Sequence, residues 1–185
     1  MKLLAFGASN HSASINFTLA RYAAERFKTR LHPDAEISYL DLNDFEMPIY
    51  SIDREQEHGV HPFAQDLFSR IGEANALIIA YPEYNGSYTS AWKNVHDWMS
   101  RIDMAIYQSK PLLALSATPG PRAGAGVLNA VEGSAPFFGA DLRGILGIGV
   151  WSEAFDNQTG ELTRESDVAA LDDALSALGD TQPIK

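Results

Sequence analysis

The segment ALIIAYPEYNGSYTSAWKNVHDW, residues 76–98, decides how this chain is read. Its first five residues are apolar without a break, the pattern of a strand covered on both faces. Pro82 ends that strand, Asn85-Gly86 is a strong turn signal, and Ser87 is placed to cap the helix that follows. In that helix Ala91, Val95, Trp98 and Ile102 recur at i, i+4, i+7 and i+11, one face of a 3.6-residue period. A buried strand running through a short loop into an amphipathic helix is one βα unit, the repeating piece of parallel sheets. A turn accounts for Pro, Asn, Gly and Ser. It does not call for Glu83 and Tyr84, and those two raise the question of a ligand.

The same grammar extends in both directions. Apolar runs recur as LLAFGA (3–8), LLALSA (112–117) and GILGIGVW (144–151), with a weaker, more alternating one in AEISYLDL (35–42). Helical spacing recurs at Ala20, Ala24, Phe27 and Leu31, and again at Val168, Leu171, Leu175 and Leu178. Segments 61–74 and 122–138 also read as helices. The order β-α-β-α-β-α-β-α-β-α predicts a three-layer α/β domain over residues 1–185, with helices on both faces of a parallel sheet. Five such strands commonly take the order 2-1-3-4-5. Residues 43–60 read as one long irregular loop, and Gly144, Gly147 and Gly149 as small residues that ease packing of the last strand. Trp98 is expected in the core or at a subunit contact, Trp92 and Trp151 at an interface or surface edge. Lys93 and Asp97, four apart, are set for a surface ion pair.

Composition bounds the function. The 185 residues are 45% hydrophobic and 21% charged, ordinary for a soluble protein. The net charge of 14 − 24 = −10 repels phosphate backbones, which argues against nucleic acid as a partner. No apolar run nears the ~20 residues of a membrane span. The opening MKLLAFGAS is too short for a signal peptide and points to a cytoplasmic protein. The absence of cysteine excludes disulfides, thiolate catalysis and Cys-ligated metal centres. His32, His58, His61 and His96 lack ligand spacing, so no metal site is expected.

In a sheet of this order ligands bind beyond the C-terminal strand ends. Three loops meet there. GASNHSASIN (7–16) leads from strand 1 into a helix whose N-terminus suits a phosphate, with Ser9, Ser12, Ser14 and Asn16 as side-chain donors and His11 as a cation when protonated. It is neither a Walker loop nor a GxGxxG fingerprint, and Ser and Asn also serve as plain helix caps. PEYNGS (82–87) offers backbone groups and Tyr84 to a planar ring. SATPGPRAGAG (116–126) has the glycines that let a backbone approach a ligand closely.

With these loops in order, the chain resembles the NADPH-dependent FMN reductase family, flavodoxin-like proteins that include quinone, chromate and azo-dye reductases. The family's first loop reads G-S-x-R-x-x-S-x-N. Ser9, Ser14 and Asn16 match it, and His11 stands where the family has Arg. Pro82 to Ser87 match P-E-Y-N-x-S, Lys93 to Arg101 match K-N-x-x-D-W-x-S-R, and Ser116 to Gly120 match S-x-x-P-G. Met47 to Tyr50 are similar to the family's D-L-P-x-Y segment. The resemblance implies FMN with its phosphate on Ser9, His11, Ser14, Ile15 and Asn16. It implies the ring against Pro82, Glu83, Tyr84, Asn85 and Gly86, with Ser116, Thr118 and Gly120 on the other side. Tyr50, Tyr88 and residues 51–60 would shape the pocket. It further implies NADPH or NADH as donor, a quinone-like small acceptor served by ping-pong electron transfer, and a homodimer or homotetramer. No protein residue is assigned as a catalyst, because the flavin carries the chemistry. The rival readings are a flavodoxin-like one-electron carrier and a non-catalytic flavin-binding or regulatory protein.

Overall fold

A computed structural model describes residues 1–179. Its main sheet has five parallel strands in the order β2-β1-β3-β4-β5. They are β1 (Lys2–Gly7), β2 (Glu36–Leu40), β3 (Ala76–Ala80), β4 (Pro111–Ala117) and β5 (Asp141–Ile148). The connecting helices are α1 (Ile15–Arg30), α2 (Ile52–His58), α3 (Pro62–Glu73), α4 (Ser90–Met99) and α5 (Ala125–Ser134), followed by α6 (Trp151–Ala154) and α7 (Glu165–Gly179). The expected strand order is therefore observed.

The apolar runs are continuous because the sheet feeds two cores. Leu4, Phe6, Leu77, Ile79, Leu112 and Ala114 point to the side covered by α3, α4 and α5, where Leu67, Ile71, Trp92, Val95 and Val131 meet them. Leu3, Ala5, Ala76, Ile78, Leu113 and Leu115 point to the other side, covered by α1 and α7 through Leu19, Ala23, Phe27, Leu171 and Leu175. Alternate residues of one strand thus serve opposite faces, and neither set can be polar. A Cβ on Gly147 would lie 2.0 Å from the Ala123 carbonyl oxygen, so the strand glycine does permit close packing.

Four expectations are corrected. The 43–60 stretch is not one irregular loop: it holds a 3-10 turn over Leu42–Phe45 and helix α2, each opened by its own side-chain cap, Asp41 and Ser51. α4 is capped by Thr89, whose hydroxyl accepts from the Trp92 N–H, and not by Ser87. Trp92 is fully buried against Phe6 and Tyr81, and Trp151 is buried in a stack with Phe155, so neither sits at an edge. Trp98 is in the core as expected, with Nε1 donating to the Pro48 carbonyl at 2.8 Å. A small antiparallel hairpin, β6 (Phe155–Asp156) with β7 (Glu161–Leu162), lies between α6 and α7 and is too short to leave a periodic signal. Lys93 and Asp97 do pair, at 2.5 Å.

α4 also buries His96, 8% exposed, edge-on to Phe138 at 4.3 Å. Burial pulls its pKa from 6.5 down to about 4, against the upward pull of Asp97 and with a small further push from Lys93. Because the native imidazole resists protonation, the unfolded chain binds the extra proton between those two values. Stability is therefore retained above about pH 6.5 and falls as pH drops toward 4, by roughly 1.4 kcal/mol per unit at most. Urea unfolding across that range is expected to show this slope in the native chain and to lose much of it in His96→Gln.

Candidate functional site

The C-terminal ends of β1, β3 and β4 lie side by side, and the loops that leave them enclose a cleft of about 450 Å³. The first wall is Ser9, His11, Ser14, Ile15 and Asn16; the second is Pro82, Glu83 and Tyr84; the third is Ala117 to Arg122 with Gly124. Most of the residues expected from sequence are therefore brought together, and their side chains divide into those facing the cleft and those that tie its walls.

In the first loop Ser14 caps α1, its hydroxyl accepting from the Phe17 N–H, and Ser9 Oγ accepts from the His11 N–H. Among the described residues, the N–H groups of Ser12, Ala13, Ile15 and Asn16 have no internal acceptor. This is the usual condition of a helix start, and it leaves a run of donors at the positive end of the α1 dipole. The first turn carries no acidic residue that would oppose an anion.

Three side chains expected at the ligand are engaged elsewhere. Asn16 is buried, and its amide makes two bonds to one residue across the cleft floor. Nδ2 donates to the Ala117 carbonyl at 2.9 Å, and Oδ1 accepts the Ala117 N–H at 2.8 Å. Ser116 is fully buried beneath the floor and donates to the Tyr81 carbonyl at 2.7 Å. Glu83 reaches the start of α5, accepting from the N–H of Gly126 at 2.8 Å and of Val127 at 3.3 Å. The N-cap of α5, Gly124, has no side chain to do this, so a carboxylate from another loop completes the helix. Arg122 closes the arrangement with a 3.2 Å contact to the same carboxylate. A Cβ on Gly126 would come within 2.7 Å of the Gly86 carbonyl oxygen, so the second and third loops touch backbone to backbone. Thr89 completes the set of ties, donating to the Ala8 carbonyl at 2.8 Å.

The tip of the second loop is a two-residue turn. Tyr84 and Ser87 exchange both backbone bonds, at 3.0 and 3.1 Å, and Asn85 and Gly86 have φ of 53° and 79°. Positive φ at both central positions is the signature of the mirror-image turn that Asn-Gly favours. Asn85 and Gly86 form this tip rather than the cleft wall, and their N–H groups carry no internal acceptor. Tyr84, 51% exposed, lines the cleft. In the third loop the Thr118 N–H is spent on the Ile148 carbonyl and its hydroxyl on the Gly120 carbonyl, while the Gly120 N–H is unpaired.

Tyr50, Tyr88 and residues 51–60 do not line this cleft. Tyr50 packs on Trp98 and bonds Glu55, and Tyr88 bonds Ser134. Arg122 does line it, 81% exposed in its side chain, and was missed because nothing within the 116–126 motif marks that position. No group of three or more His, Cys, Asp or Glu able to hold a metal occurs among the described residues, and no helix among them is long and apolar enough to cross a membrane.

Residues 1–140 match the model of a family described as NADPH-dependent FMN reductase. The chain is similar to the quinone reductase of Escherichia coli K12, 30% identical over 138 residues that cover 73% of each chain. It is 27% identical over 187 residues to the NADH-dependent flavin reductase subunit 2 of Lactobacillus johnsonii, covering 95% of this chain and 94% of that one. Among solved structures it resembles the flavoenzyme NAD(P)H:(acceptor) oxidoreductase FerB of Paracoccus denitrificans, with a TM-score of 0.74 at 21% identity, covering 97% of this chain and 95% of that one. The fold is also that of an FMN-dependent NADH-azoreductase of Bacillus anthracis solved with FMN, TM-score 0.64 at 12% identity, each chain 96% covered.

Proposed function

Since this chain belongs to the NADPH-dependent FMN reductase family and is an oxidoreductase working with FMN and NAD(P)H, we propose that it passes electrons to a quinone-like small acceptor from the cleft described above. The observation that carries this reading is the convergence of three walls of different chemistry. A run of unpaired N–H groups at the start of α1 suits a phosphomonoester, a half-exposed tyrosine suits a ring, and unpaired backbone donors lie on the two remaining loops. FMN bound there supplies hydride acceptance from NAD(P)H and electron delivery to the acceptor. The chain's part is to hold and orient it. Ser9, His11, Ser14 and Ile15 take the phosphate end, and Asn16 and Ser116 act indirectly by fixing the floor. Pro82 and Tyr84 face the ring. Asn85, Gly86 and Gly120 offer N–H groups to its polar edge, where donors stabilise developing negative charge. Glu83 holds two walls together, and Thr118 shapes the third.

Donor and acceptor would use the same open cleft in turn, a ping-pong scheme. The third loop has no aromatic side chain to cover a ring, which favours this enzyme reading over a flavodoxin-like carrier. The proposal includes a single cytoplasmic FMN-binding domain over 1–185 acting as a homodimer or homotetramer. Ile49 and Ile52, exposed at 76% and 62%, supply apolar surface for such an assembly.

The test is the visible spectrum of the purified chain with FMN added, before and after anaerobic NADPH or NADH. Bound flavin that bleaches is the expected result and shows which donor works. Bound flavin that does not bleach makes the chain a carrier, and absence of binding at excess FMN makes it non-catalytic.

A further inference from the structure

The first loop holds one side chain able to change its charge near neutrality. Ser9, Asn10, Ser12, Ala13 and Ser14 do not titrate there, whereas an imidazole ordinarily does so between about pH 5 and 8. His11 lines the cleft and is exposed, and its ring makes no hydrogen bond, ion pair or ring contact among the described residues. Only its backbone is engaged, the N–H with Ser9 Oγ and the carbonyl with the Ser14 N–H. The charges that face it from other elements are few. On the second wall Glu83 is already matched by Arg122 of the third and by the N–H groups of α5. The first turn of α1 is free of acids, and behind the loop Asn10 shares a smaller cavity with Glu46.

We propose that His11 is a conditional phosphate ligand, which makes the grip on FMN proton-dependent. The inference rests on the reading that this loop holds the phosphate. A protonated imidazole adds a charge-assisted bond to those from the backbone N–H groups, and a neutral one does not. A bound dianion favours the charged ring, so binding takes up a proton and affinity falls as pH rises. The gain is that of making one hydrogen bond charge-assisted, which limits the effect to about tenfold. Arginine at this position would keep its charge throughout, and glutamine would never gain one.

The experiment is a fluorescence titration of the flavin-free full chain with FMN and with riboflavin, at about pH 6.5 and about pH 8.5. In the native chain the FMN Kd is expected to rise by about fivefold to tenfold between the two. Riboflavin, which lacks the phosphate, is expected to show no change. His11→Arg should bind FMN tightly at both values, and His11→Gln should match the native chain only at the higher one. The second ionisation of the phosphate, near pH 6, is common to all three proteins and cancels in the comparison. If the native chain and His11→Gln share one profile, His11 is not the proton-linked group and the inference fails while the site stands. If FMN and riboflavin bind equally at both values, the loop does not hold the phosphate and the underlying reading fails with it.

Discussion

Replacing Asn85 with proline is expected to weaken FMN binding by roughly a hundredfold or more while the chain stays folded. The native φ of 53° lies far from the value near −65° that the proline ring imposes. The turn cannot keep its two Tyr84–Ser87 bonds in that geometry, so Tyr84 leaves its place on the cleft wall. The substitution also removes the unpaired Asn85 N–H. Residues 84–87 are exposed, so little of the core depends on them. Asn85→Gly, which accepts positive φ without strain, is the control and should bind nearly as the native chain does. Flavin titration with circular dichroism on the same samples decides it. Native affinity in the proline variant would remove the 82–87 loop from the ring site.

Asn16→Ala is expected to lower both stability and flavin affinity. The side chain satisfies the N–H and the C=O of Ala117 inside the protein, at 2.8 and 2.9 Å. Alanine leaves both groups buried and unpaired, at about 1–3 kcal/mol each, which in a chain of this size is a fall in Tm of roughly 4–24 °C. The start of α1 also loses its tie to β4, so the N–H groups of the first loop are no longer held in register and FMN should bind at least about tenfold more weakly. A residue that merely donated to the phosphate would weaken FMN without moving the Tm of the flavin-free chain. Thermal unfolding without flavin separates the two roles, and an unchanged Tm would return Asn16 to direct ligation.

The sheet was legible because burial on both faces forbids polar residues, and that constraint writes unbroken runs such as ALIIA and LLALSA. The helix caps were less so. Two hydroxyls precede α4, and local sequence cannot say that Ser87 is consumed by the turn while Thr89 both caps the helix and reaches Ala8. Trp92 was misplaced because the spacing of Ala91, Val95 and Trp98 marks a narrower stripe than α4 buries, which also takes in Trp92, His96 and Met99. The cleft was found by its loops, yet the roles of Asn16, Glu83 and Ser116 were not. Their partners lie 101, 43 and 35 positions away, and no local pattern carries a tertiary hydrogen bond.

Those separations also bear on the order of events during folding. The cleft walls are joined by bonds spanning 101, 81 and 35 positions, and the central strands are parallel. Closing such long loops is entropically slow, and the bonds reward the chain only after the closure is made. A ribosome-bound fragment ending before β4 has neither the Ala117 backbone that Asn16 grips nor the α5 start that Glu83 completes. The pocket is therefore a late product of folding rather than a nucleus for it, and cofactor capture serves as a report that the sheet has been completed.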